Sequence, residues 1–118
     1  MAQKYIVNDI VMYKNRIHTI IDTLGLNNYE LSYIRHPVNR AELSGVPFTP
    51  EILEKNGWKS INGKYALKIK NANYVVLEFT EDGIYAYINE KTMLFTIKYI
   101  HELQHLLFGL GLNSKMEV

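Results

Sequence analysis

Cysteine does not occur in this chain of 118 residues. Its absence excludes disulfides and thiolate metal sites, and a reducing compartment is the natural setting. An excess of one charge is missing too: 13 Lys and Arg stand against 12 Asp and Glu, evenly in both halves. A broad attraction to nucleic acid or anionic lipid is thereby excluded, leaving only local basic patches. No apolar run approaches the roughly 20 residues of a membrane span, and Met1 to Tyr5 opens without the apolar stretch of a signal peptide. A cytoplasmic protein without a membrane partner is expected. Proline is scarce at three residues, so long stretches are open to regular structure. With 47% hydrophobic and 21% charged residues, the composition is that of a globular protein, and the length suits one compact domain, 1–118.

The pattern predicts an α+β fold. "DIVMYK" and "RIHTIIDT" carry the β-branched and aromatic residues of a hairpin around Lys14-Asn15-Arg16, and "YELSYI" adds a third strand with Tyr29, Leu31 and Tyr33 on one face. Residues 1–34 thus form a three-stranded meander. Residues 35–47, with two prolines and little periodicity, read as a connecting loop. Residues 48–112 read as an α-β-meander-α part whose antiparallel sheet has four or five strands. Its first helix has Thr49 as N-cap, Pro50 at the first position, Glu51 in the first turn and Gly57 as terminator. "WKSI", "KYALKIK", "YVVLEF", "GIYAYI" and "TMLF" follow, with Asn62-Gly63 and Asp82-Gly83 as turns. A closing helix is expected from about Ile97 to Phe108, capped by Thr96, and 113–118 as a frayed tail.

"HELQH" at 101–105 matches the H-E-x-x-H signature of zinc peptidases. Four residues apart on a helix, His101 and His105 share a face and can reach one metal ion, with Glu102 as the base that polarises its water. A third ligand is then required. Phe108 and Gly111 stand where the metzincin pattern continues with Gly and His, and the short segment after Gly111 offers only Glu117, so His18 or His36 is left for the role. At 100° per residue, Tyr99, Ile100, Leu103, Leu106, Leu107 and Leu110 gather on one side and Lys98, His101, Glu102 and His105 on the other. The motif is therefore expected on a solvated face, with Lys98 and Glu102 as an i,i+4 pair and neither a metal nor another cofactor bound; zinc belongs to the alternative reading.

Other candidates are binding residues. Arg35, His36 and Arg40 cluster in the proline-containing loop, where they can grip a phosphate or an acidic partner. Lys64, Lys68 and Lys70 share a strand face with Ala66 and form a basic stripe. Tyr85 and Tyr87 alternate with Ile84, Ala86 and Ile88, so they either pack internally or present an aromatic patch to a partner or a second copy of the chain.

"VPFTPEILEKNGWK" (46–59) and "IKYIHELQHLLFGLG" (97–111) resemble a family of small uncharacterised proteins from Bacteroidetes genomes and their phages and mobile elements. More loosely, "DIVMYKNRIHTI" looks like the opening hairpin of an SH3-like barrel. The resemblance implies a small accessory protein without catalytic residues, in which Glu102 and His105 stand at positions open to other residue types. The expectation is a non-catalytic binding protein with an SH3-like N-terminal part, acting by protein or ligand binding, host machinery among its targets, or by self-association into a homo-oligomer. A small zinc metallopeptidase and a nucleic-acid-binding accessory protein are the alternatives.

Overall fold

The computed structural model describes residues 5–69, 73–89 and 92–118, and for 92–95 the backbone. Two compact units emerge: the residues up to Pro47 with Tyr99–Met116, and Phe48–Lys98 with Glu117–Val118. Each is built on a five-stranded antiparallel sheet, so the α+β class holds. The closing helix, expected within the second part, belongs instead to the first unit.

In the first unit, β1 (Ile10–Tyr13), β2 (Arg16–Leu24), β3 (Asn28–Leu31), β4 (Val38–Asn39) and β5 (Leu43–Gly45) lie in the order β4-β3-β2-β1-β5. Tyr13 pairs with Arg16 across a two-residue turn. Lys14 and Asn15 both have positive φ, 49° and 64°, the twist that suits a tight hairpin. The 35–47 segment is more than the expected loop. Val38 pairs with Tyr29, a 3-10 turn at Arg40–Glu42 is capped by the Asn39 side chain, and Leu43–Gly45 returns to β1. Strands of two and three residues are too short to leave a periodic signal, which is why the sequence reads as loop there. The third strand also ends early. Tyr29 and Leu31 share the buried face, whereas Tyr33 has φ 65° and is 97% exposed.

Tyr5, Val11, Tyr13, Ile20, Tyr29, Leu31 and Val38 make the core of this unit. Tyr5 meets Tyr29 edge-on at 5.7 Å and donates its backbone N–H to the Tyr29 hydroxyl, so two of the tyrosines are structural. Consecutive residues of a strand point to opposite faces, yet Ile10 and Val11 are both buried. Both faces of β1 are therefore covered. The helix α2 (Ile100–Gly109) packs against β1. It starts three residues later than the periodicity suggests, because Thr96 and Ile97 belong to a strand of the second unit. Tyr99 is its extended N-cap, bridged to Pro47, and Ile100 N–H donates to the Val46 carbonyl at 2.9 Å.

The second unit comprises α1 (Pro50–Lys55) and β6 (Lys59–Ile61), β7 (Lys64–Lys68), β8 (Tyr74–Thr80), β9 (Gly83–Ile88) and β10 (Thr92–Ile97), in the order β10-β9-β8-β7-β6. Thr49 caps α1 as expected, its hydroxyl accepting from Ile52 N–H at 3.2 Å, and Gly57 leaves the helix with φ 88°. The turn at Asn62-Gly63 has both φ values positive. Lys70, the 71–72 part of the β7–β8 turn and the 90–91 part of the β9–β10 turn lie outside the described residues.

By register, Tyr65, Leu67, Val75, Leu77, Phe79, Ile84 and Ala86 share one face of the second sheet. There the Phe79 ring lies edge-on to Phe48 and Tyr65 at 6.2 and 5.8 Å. The tail expected to fray is tied down. Asn56 Nδ2 donates to the Glu117 carbonyl at 2.7 Å and Glu117 N–H to Asn56 Oδ1 at 2.8 Å. Among the described residues no helix is long and apolar enough to cross a membrane.

Candidate functional site

The H-E-L-Q-H segment occupies the first turns of α2, and its side chains do not form a solvated face. His101 is 0% exposed. It sits beside Tyr5, edge-on at 5.0 Å, Tyr99, stacked at 5.9 Å, and His105, edge-on at 5.8 Å. Neither of its ring nitrogens has a hydrogen-bond partner. Burial in this aromatic niche lowers its pKa, opposed in part by the charges of Asp9 and Glu102.

His105 uses Nε2 to donate to Asp9 Oδ2 at 2.7 Å. Asp9 is 1% exposed, and the same oxygen accepts the Ile6 N–H at 2.9 Å. The hydrogen bond to Asp9 raises the His105 pKa against the opposing effect of partial burial. Glu102 turns back to the helix start, where Oε1 accepts the Tyr99 N–H at 2.9 Å. That is the reach of a capping-box glutamate.

Gln104 is the residue that the motif hides. It is 2% exposed; its Oε1 accepts from Ile10 N–H at 2.8 Å, and its Nε2 donates to the carbonyls of Asn8 and Ser114 at 2.8 and 3.0 Å. With Ile100 on Val46 and His105 on Asp9, this fastens α2 to the start of β1 and the end of β5 through directed polar contacts.

These positions do not fit a catalytic zinc. Such a site needs three converging donors and an open coordination position beside the glutamate. Here Asp9 takes the Nε2 of His105, Glu102 holds a backbone N–H, and His101 is enclosed by rings. Among the described residues no three His, Cys, Asp or Glu side chains are grouped to hold a metal. His18 donates from Nδ1 to the Ser32 carbonyl at 2.8 Å and lies against Tyr13, whereas His36 is exposed and turned to the Pro37 carbonyl. Asp9 and His105 do have the form of a base steadied by an acid. Among the described residues, however, no hydroxyl is hydrogen-bonded to the second nitrogen of His105.

Tyr99 also covers Gly45. A Cβ at that position would come within 2.6 and 2.7 Å of ring carbons of Tyr99, far inside van der Waals contact. Gly45→Ala is therefore expected to displace Tyr99 from His101 and to destabilise the first unit by about 2 kcal/mol. A thermal melt measures it; an unchanged midpoint would mean that the ring moves aside freely.

The loop candidates disperse. Exposed Arg35 lines a cleft of about 300 Å³ with Glu30, Tyr33 and Ile34. His36 faces its own chain, and Arg40 opens the 3-10 turn, where its charge acts on the Tyr5 phenol.

Tyr85 and Tyr87 fare differently. By register they share the second face of the second sheet with Lys59, Ile61, Lys64, Ala66, Lys68, Tyr74, Val76 and Glu78. Both tyrosines are half-buried. Tyr87 Oη donates to Glu78 Oε1 at 3.3 Å, and Lys64 Nζ lies 3.9 Å from Glu78 Oε2. Two depressions of about 240 and 310 Å³ share Ile61, Ala66 and Tyr74; Lys64 and Asn89 line one, Lys59 and Lys68 the other. Lys64 and Lys68 of the lysine stripe and the tyrosine pair, separate features in the sequence, thus fall on one surface.

No family model, curated protein or solved structure matches the chain.

Proposed function

We propose that this chain is a non-catalytic binding protein of the cytoplasm, serving a phage or mobile element as an accessory factor. The observation that carries the reading is the internal use of Glu102, Gln104 and His105 in the peptidase-like segment, with His101 enclosed by rings. His105 and Gln104 fasten the helix to the strand turn and Glu102 caps its start, which leaves no base beside a metal or a nucleophile. The origin rests on the resemblance of 46–59 and 97–111 to proteins of that source. The SH3-like reading of the N-terminal part is supported by the strand order β4-β3-β2-β1-β5 and by the 3-10 turn between β4 and β5. Folds of this kind host many functions, so the function is argued from surfaces.

Incubated with unstructured peptides, with and without zinc, the protein is expected to leave them uncut. The tagged chain purified from a bacterial host is expected to retain a partner in near-stoichiometric amount, and Glu102→Gln to retain it equally. Zinc-dependent cleavage abolished by Glu102→Gln would overturn the proposal.

A further inference from the structure

We infer that the second face of the β6–β9 sheet binds an acidic segment of a partner protein, one in which carboxylates flank an apolar side chain. This rests on the reading of the chain as a binding protein and names the chemistry of what it binds. Charge complementarity identifies the occupant. Among the described residues, Lys59, Lys64 and Lys68 stand on this face against one carboxylate, Glu78, in a chain whose total charges nearly cancel. Lys64 lies beside Glu78, while Lys59 and Lys68 are exposed at the rim of the larger depression. Its floor is apolar: Ala66 is half-buried, with Ile61 51% and Tyr74 38% exposed. A floor that takes an apolar side chain inside a cationic rim matches a segment with the opposite plan.

Single-stranded nucleic acid fits less well. Base stacking on successive bases needs several open ring faces, and of the described tyrosines on this face Tyr74 is exposed while Tyr85 and Tyr87 are half-buried, with the Tyr87 hydroxyl on Glu78. That carboxylate, in the middle of the face, opposes a phosphate backbone. Strand addition at the β6 edge, which borders the depressions, is also weak, because that strand has three residues and carries a lysine, a common guard against edge pairing.

The test is fluorescence anisotropy on the full chain with three labelled probes: a twelve-residue peptide of glutamates flanking a central leucine-phenylalanine pair, its lysine counterpart, and oligothymidylate. The acidic peptide is expected to bind saturably and more weakly as salt rises. Lys59→Glu with Lys68→Glu is expected to weaken it roughly tenfold or more, about 1.4 kcal/mol, with the melting temperature unchanged because both residues are exposed. No saturable binding, tighter binding of oligothymidylate, or an affinity indifferent to the double substitution would overturn the inference. So would self-association abolished by that substitution, since the face would then serve a second copy. Each of these failures leaves the non-catalytic reading intact, because that reading fails only through cleavage.

Discussion

Gln104→Leu is expected to destabilise the first unit by about 3 kcal/mol, although the substitution preserves helix propensity and adds apolar volume. The cost arises in the partners. Ile10 N–H, Asn8 C=O and Ser114 C=O each lose the Gln104 amide, and a buried polar group left unpaired costs about 1–3 kcal/mol. Gln104→Glu is expected to be worse, since one carboxylate oxygen would face two carbonyls that both require a donor. Denaturation followed by circular dichroism gives the magnitude, and amide exchange at Ile10 gives the location. Unchanged protection of the Ile10 amide in Gln104→Leu would show that the side chain is incidental.

His105→Ala is expected to cost a similar amount, about 3 kcal/mol, because among the described residues it leaves the buried Asp9 carboxylate with the Ile6 N–H alone. Its pH dependence separates the two histidines. The folded pKa of His105 is raised above the ordinary 6.5, so its contribution is complete below that value and is lost as pH rises through the folded pKa. His101 is shifted the other way. Its contribution is present above 6.5 and is lost as pH falls through its depressed folded value. Together they place a stability maximum near the ordinary histidine pKa. His105→Gln is expected to flatten the alkaline limb and His101→Phe the acid limb, as read from denaturation midpoints between about pH 5 and about pH 9. Limbs that survive both substitutions would assign the pH dependence to other groups.

Much of the second unit was legible because its signals are local. Thr49-Pro50 at the helix start, Asn62-Gly63 at the hairpin and alternation through 64–68, 74–80 and 83–88 each act within a few residues. The first unit was legible only in its opening hairpin. Its β4 and β5 are too short for periodicity, and their places are fixed by pairing with Tyr29 and, from farther away in sequence, Tyr13. The helix wheel placed Leu103, Leu106 and Leu107 inward correctly but set His101 outward. Amphipathicity assumes one wet face, whereas α2 buries polar side chains as well.

Gln104 carries no burial signal in the sequence, because glutamine is ordinarily solvated. The single cue available was its place inside a motif whose flanking residues are all apolar or aromatic. At the candidate surface, Tyr85, Tyr87, Lys64 and Lys68 could be named from the sequence, whereas Lys59 joins them only through its pairing with Ala66. That they share a face required the register of four strands.

A zinc titration of the melting temperature bears on the peptidase-like segment as a whole. If Gln104 and His105 join α2 to the start of β1, Glu102 caps the helix and His101 is packed among rings, the midpoint stays constant through a several-fold excess of zinc, and His101→Ala lowers it equally with and without the metal. A saturable rise at one zinc per chain, lost in His101→Ala, would mean that the imidazoles bind metal in the folded state, because a ligand confined to that state must raise the midpoint.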